Sequence, residues 1–266
     1  MLTDFHGTIF PEDSPEHQRV AKISNQIFDY NTDLPEIEGK KWIIQVVDKS
    51  DYRIPVMTNA WASPNGKIFV TANFLKRTNC DETVAMVIAE EISHQCLNHP
   101  AEHPLATEYW NILGPVALCL SSYISILALN FPKVIMLPVL AIFGRYFWRL
   151  KKASAERINM MELEADELGF RLVTKAGFDI RKPILYYASG ISVPLEKINK
   201  NDLKPSGYPK PEARMLNLIE IFPKAIELRN DCGWPKFSNS DNTAQELDKI
   251  FKKLSSAHKN QSPQEI

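Results

Sequence analysis

Between Ile112 and Phe147 the chain carries only two charged side chains, Lys133 and Arg145, and no stretch constrains its fold more. Ile112 to Phe131 is a run of about 20 residues, the length a helix needs to cross the hydrocarbon of a bilayer. Asn130, Pro132 and Lys133 then interrupt it. A second run, Val134 to Trp148, spans roughly 22 Å as a helix and enters a cationic and aromatic cluster of Arg145, Tyr146, Phe147, Trp148, Arg149, Lys151 and Lys152. The pattern predicts two helices joined by a tight turn. They are either membrane-inserted or a buried core pair, since Ser121, Ser122, Ser125, Pro115 and Pro138 dilute the apolarity.

The remainder reads as an ordinary folded chain. Its 266 residues carry 31 Lys+Arg against 32 Asp+Glu, a net charge of -1, with 44% hydrophobic residues. That excludes a disordered chain and gives no electrostatic basis for binding nucleic acid. Cys80, Cys96, Cys119 and Cys232 form no CxxC pair, so neither a disulfide scaffold nor a sulfur-ligated zinc site is indicated. The amino terminus is acidic at Asp4, Glu12, Asp13 and Glu16 and has no arginine before Arg19, so no transit peptide is visible in it.

Periodicity predicts an amphipathic helix over Glu16 to Tyr30 and a strand over Lys41 to Val47. Around the Ser63-Pro64-Asn65-Gly66 turn it predicts a hairpin of Pro55 to Trp61 with Phe69 to Phe74. A helix from Asp81 to about Asn98 is expected, capped by Asn79 or Asp81, with Asp81 and Glu82 at the positive end of its dipole. Further helices are expected over Ala153 to Ala176, closed by Gly177, from about Pro183, and over Glu212 to Ile221; the end from Ser255 reads as a polar tail. The fold class is therefore mainly α with a small antiparallel β-sheet.

Glu90-Glu91-Ile92-Ser93-His94 lies on the helix expected from Asp81. Residues four apart share a helical face, so Glu90 and His94 point the same way with Glu91 beside them. A zinc-protease helix places two ligands at this spacing and a glutamate directly after the first, to take a proton from metal-activated water. Alone, the spacing recurs on any helix rich in Glu and His. Beyond the apolar insertion, Glu162 and Asp166 of Glu162-Leu163-Glu164-Ala165-Asp166 again share a face, while Ala165 and Gly169 are small enough to let this helix approach another closely. Glu164 and Glu167 read as solvated.

The ordered set of Asn65-Gly66-Lys67-Ile68-Phe69-Val70, Glu90 to His94 ending in Leu97-Asn98-His99, and Glu162 to Asp166 with Leu168-Gly169 and Ala176-Gly177 resembles a known family. It is similar to the membrane-associated zinc peptidases that include the CAAX prenyl proteases and heat-shock protease X, and most of all to the Oma-type metalloendopeptidases of the mitochondrial inner membrane. The likeness runs from about Leu34 to about Ser238. It implies a gluzincin-like fold with the apolar hairpin inserted between the metal-binding helices. Residues 1–111 would form the first part of the peptidase domain, 112–152 the hairpin, 153–240 the second part, and 241–266 a short helix and polar tail. It also implies one Zn2+ per chain held by Glu90, His94 and Glu162, with Glu91 as general base and Asp166 orienting a ligand histidine.

Two departures touch the chemistry. Glu90 stands where the family has its first ligand histidine, and Ser206-Gly207-Tyr208-Pro209 replaces a Ser-Thr-His-Pro segment, with Arg214 retained. Tyr208 can donate a hydrogen bond to an oxyanion in place of that histidine. Two glutamates and one histidine form a neutral set with the metal, which raises the pKa of bound water and leaves zinc binding weakened or lost. His99 and His103 do not repeat the i+4 relation to Glu90 and read as non-ligands.

The resemblance implies a membrane-associated zinc metalloendopeptidase acting on membrane-anchored proteins in mitochondrial inner-membrane quality control. The alternative is a catalytically impaired pseudopeptidase acting as a binding or regulatory subunit. Implied partners are membrane-anchored substrates, the lipid bilayer, and a homo-oligomer or an active relative. If Glu91 and Glu162 share one metal, the insertion must leave the catalytic domain and return. That excludes a single crossing; two crossings or a re-entrant hairpin turning near Pro132-Lys133 meet the constraint, and the short second run favours the shallow hairpin. Substrate is expected along an edge strand near Val70.

Overall fold

The computed structural model describes residues 8–48, 60–63, 66–99, 133–191 and 210–259, together with Val116, Cys119 and Tyr123. The architecture is mainly helical with one small sheet, as expected. Strand β1 (Thr8–Ile9) precedes helix α1 (Pro15–Asp29), whose entry is set by Ser14 accepting the His17 N–H and by Pro15 in the first turn. The apolar stripe of α1, Val20, Ile23 and Ile27, is buried in the core.

Strands β2 (Ile43–Asp48), β3 (Ala60–Ser63) and β4 (Lys67–Thr71) complete a four-stranded sheet of order β1-β2-β4-β3. The β3–β4 hairpin is antiparallel, pairing Ala60 with Val70 and Ser63 with Lys67 around the expected turn. The sheet is mixed rather than antiparallel, because β4 pairs in parallel with β2. The hairpin docks through its second strand, which leaves β3 at the end of the sheet and puts Val70 inside it. Val70 is therefore not on an edge strand as expected; among the described residues the edge beside it is β3. Ala72 to Phe74 belong not to a strand but to helix α2 (Ala72–Arg77), which starts where Thr71 caps the Phe74 N–H.

Helix α3 (Asp81–Cys96) is buried on nearly all sides by Val84, Ala85, Met86, Val87, Ile88, Ala89 and Ile92, the mark of a helix at the centre of the core. Its N-cap is Cys80, without a side-chain hydrogen bond, rather than Asn79 or Asp81. The first-turn acids are engaged in ion pairs, Asp81 with Arg19 and Glu82 with Lys182, both at 2.7 Å.

Helix α4 (Lys133–Lys175) is one helix of 43 residues, about 65 Å long, and not the two predicted around Ala153. Neither glycine nor proline occurs between Gly144 and Gly169, so nothing in the cationic cluster breaks the backbone ladder. No helix among the described residues is long and apolar enough to cross a membrane. The Ile112 to Pro132 half of the predicted hairpin lies outside the described residues apart from Val116, Cys119 and Tyr123.

Gly177 closes α4 in the left-handed region, at φ +81°, with Trp234 packed over it; a Cβ there would lie 2.6 Å from the indole. Helices α5 (Arg181–Ser189), α6 (Pro211–Asp231) and α7 (Asn242–Lys259) follow. The α6 helix passes through Pro223 instead of stopping before it, because Ala225 and Arg229 beyond are buried. The α7 helix carries order past Ser255 to Lys259.

Candidate metal centre

Helix α3 packs more extensively on α4 than any other pair of elements does. The contact is close because Gly169 lies against the α3 backbone; a Cβ there would stand 3.0 Å from Glu90 N and 3.1 Å from the Ala89 carbonyl carbon. With Ala165 fully buried one turn earlier, the acidic faces of both helices meet. Glu90, His94 and Glu162 each offer a donor atom, and these atoms lie within 4.8 Å of one another. The separation of His94 Nε2 and Glu162 Oε1 is 3.6 Å, near the roughly 3.3 Å between donors around a tetrahedral ion with bonds of about 2.0 Å.

Asp166, fully buried one turn after Glu162, does not stand alone. Helix α6 delivers Arg214, whose Nε donates to Asp166 Oδ2 at 2.8 Å and whose Nη2 lies 2.5 Å from both Asp166 Oδ1 and Glu90 Oε2. From α5, the Tyr187 hydroxyl donates to Glu90 Oε2 at 3.4 Å, and the Arg214 guanidinium sits 4.7 Å over its ring. Two buried carboxylates would repel, and Arg214 is the cation that joins them.

Glu91 lies beside this cluster. Its carboxyl end is packed among protein atoms and accepts the backbone N–H of Ala62 on β3, while Gln95 one turn later donates to the Ser63 carbonyl at 2.5 Å. Helix α3 is thus tied to the last strand of the sheet.

The electrostatics disfavour ionisation of the buried acids. Burial, then the neighbouring Glu90 carboxylate, pushes Glu162 up to about 8. Burial raises Asp166 to about 7 although Arg214 pulls the other way, and burial with Glu90 and Glu162 holds Glu91 well above the usual carboxylate range. Burial opposes the Arg214 charge, yet Glu90, Tyr187 and Asp166 raise its pKa far more. Four carboxylates around one guanidinium, with an imidazole aimed among them, form a donor set that suits a divalent cation.

The structure brings together Glu90, Glu91, His94, Glu162 and Asp166, while Tyr208 lies outside the described residues. Tyr187 was not foreseen, and nothing in its sequence neighbourhood marks it. His99 and Glu164, read as a non-ligand and a solvated acid, meet each other beside His94: His99 Nδ1 is 2.9 Å from His94 Nδ1, and His99 Nε2 is 3.4 Å from Glu164 Oε2.

Comparison with known proteins agrees with this geometry. Peptidase family M48 matches residues 16–220, which contain every residue of the cluster. The chain belongs to peptidase family M48. Its relatives include the mitochondrial metalloendopeptidase OMA1 of Bos taurus, 26% identical over 90% of this chain and 44% of the relative, and that of Homo sapiens, 26% identical over 97% and 46%. The Saccharomyces cerevisiae OMA1 protein is 25% identical over 82% of this chain and 61% of its own length. The chain spans about half the length of the animal relatives it matches. Within M48 it is an Oma-type chain; the family implies a metal, and Glu90, His94 and Glu162 form a group able to hold one.

Proposed function

We propose that the chain is a membrane-associated zinc metalloendopeptidase that hydrolyses peptide bonds of membrane-anchored proteins, at the mitochondrial inner membrane as the OMA1 names suggest. The convergence of Glu90, His94 and Glu162 beside Glu91, in a member of family M48, carries this reading. Glu90, His94 and Glu162 would hold one zinc ion per chain. When bound, zinc supplies Lewis-acid polarisation of the scissile carbonyl and activation of a water.

Every other function falls to the protein. Glu91, whose pKa lies above that of an ordinary carboxylate, accepts a proton from the attacking water and returns it to the leaving amine. Its hydrogen bond from Ala62 fixes that carboxylate against β3, along which an extended substrate chain lies. Arg214 and Tyr187 offset the charge of Glu90, so a carboxylate there leaves the cluster closer in charge to a two-histidine site. Tyr208 donates to the oxyanion.

Membrane association is supported by the first half of α4, where Ile142, Tyr146 and Trp148 are exposed beside Arg145, Arg149 and Lys152. A homo-oligomer, or pairing with an active relative, would then assemble at that surface. The pseudopeptidase alternative draws on one observation, the Glu90 oxygen 2.5 Å from Arg214, which marks a carboxylate already neutralised from within.

The test is zinc content together with cleavage of a membrane-tethered peptide by the unmodified chain, Glu91→Gln and Glu90→His. The peptidase reading expects near-stoichiometric zinc, and cleavage lost in Glu91→Gln with zinc retained. Cleavage appearing only in Glu90→His would establish the pseudopeptidase.

A further inference from the structure

We propose that His99 is a positioning residue for His94, fixing which of its ring nitrogens is free to bind the metal, and that Glu164 fixes His99 in turn. The inference rests on the zinc-site reading above and adds two residues to it.

His99 is five residues beyond His94 and would face away from it on a continuing helix. The chain instead turns at Asn98, which adopts φ 59°, a left-handed conformation that asparagine tolerates better than most residues. The turn follows the Leu97 N–H to Ser93 carbonyl bond that closes α3. It folds His99 back into the protein, 4% exposed, with its ring edge-on to His94 at a centroid distance of 5.0 Å and an interplanar angle of 68°.

Proton accounting follows from this contact. His94 Nε2 is the nitrogen aimed into the cluster, 3.6 Å from Glu162 Oε1, and only a lone pair there can bind a metal. A neutral His94 must then carry its proton on Nδ1, which donates across 2.9 Å to His99 Nδ1. His99 therefore accepts at Nδ1 and holds its own proton on Nε2. That nitrogen faces Glu164 Oε2 at 3.4 Å, an oxygen placed to accept its proton. The far oxygen, Glu164 Oε1, lies 3.9 Å from Arg157.

The reverse assignment fails at both ends. If His99 donated from Nδ1, the His94 proton would sit on Nε2 and block the metal, and a lone pair on His99 Nε2 would face a carboxylate. Glu164 thus selects one His99 tautomer, and His99 selects the binding tautomer of His94, a support that ligand histidines commonly take from a carboxylate or carbonyl. The arrangement joins both metal-binding helices, because Glu164 and Glu162 are on the same turn of α4.

Long-range nitrogen–proton NMR of the histidines in the zinc-loaded full chain reads the tautomers directly. Expected are His94 protonated on Nδ1 and His99 protonated on Nε2; His94 protonated on Nε2 overturns the proposal. Zinc affinity by chelator competition provides the second readout, with folding of each variant checked by circular dichroism. His99→Leu should lose about 10- to 100-fold in affinity, the range for such supporting partners. His99→Asn, which keeps an acceptor at the Nδ1 place, should recover most of it. Equal losses in both variants, or none in His99→Leu, overturn the proposal while leaving the zinc site standing. An unmodified chain that binds no zinc would remove the metal reading itself and this proposal with it.

Discussion

The two halves of α4 belong to one helix and occupy opposite environments. From Ala141 to Lys152 the described side chains are exposed, including Ile142 at 68% and Tyr146 and Trp148 at 62%. From Met161 to Val173 the helix is largely buried, and there it carries Asp166 at 0% exposure and Glu162 with a side chain 13% exposed. Large apolar side chains lie outside on the first half, and two carboxyl groups, Glu162 and Asp166, lie inside on the second, both against what transfer free energies favour. The outer half leaves apolar surface exposed, and the inner half holds its buried acids with little positive charge beside them. Arg214 supplies part of that charge, and a divalent cation would supply the rest.

Removing the internal cation should have the largest effect. Arg214→Met leaves Glu90 and Asp166 as buried neighbours without a counter-charge and should cost about 3–5 kcal/mol in denaturant unfolding at neutral pH. Adding Asp166→Asn to that variant should restore part of the loss. An unchanged midpoint would show that the inner half needs no charge compensation.

Stability of the metal-free chain should fall as pH rises. The folded-state pKa values of Glu162, about 8, and Asp166, about 7, lie above their ordinary values of 4.5 and 3.8. Between those limits the folded chain binds more protons than the unfolded one, so stability is full below about pH 4 and declines toward pH 8. Thermal unfolding in chelator across that range checks the slope, and Glu162→Gln should flatten it.

A smaller effect is expected where the two helices touch. Gly169→Ala places a Cβ 3.0 Å from Glu90 N and should cost about 1–3 kcal/mol. The outer half should show the smallest effect on folding. Tyr146→Ser with Trp148→Ser should leave stability within about 0.5 kcal/mol of the unmodified chain and reduce sedimentation with anionic vesicles. Unchanged sedimentation would remove the membrane role from this half.

The inner half was legible in the sequence because its signals are local. The i,i+4 spacings of Glu90 with His94 and of Glu162 with Asp166, and the small residues Ala165 and Gly169, are fixed by helix geometry once the helices exist. The hairpin at Ser63 to Gly66 was readable for the same reason. Pairings between distant segments were not: parallel β2 and β4, Arg214 between Glu90 and Asp166, and Tyr187 on Glu90 each depend on docking that no local pattern encodes. His99 was hidden by one backbone angle, since only the left-handed turn at Asn98 brings it to His94. The continuity of α4 was missed because a change in composition at Lys151 and Lys152 resembles a boundary, whereas a helix ends only where its backbone bonds end.

Thermal unfolding at pH 8 in chelator and in excess zinc, for the unmodified chain and for Glu162→Gln, tests most directly whether the buried acids form a metal centre. Binding at about 100 times Kd adds about 2.7 kcal/mol, so zinc should raise Tm by at least about 5 °C in the unmodified chain and much less in Glu162→Gln. Equal Tm values with and without zinc, and no zinc retained by the purified chain, would contradict the account.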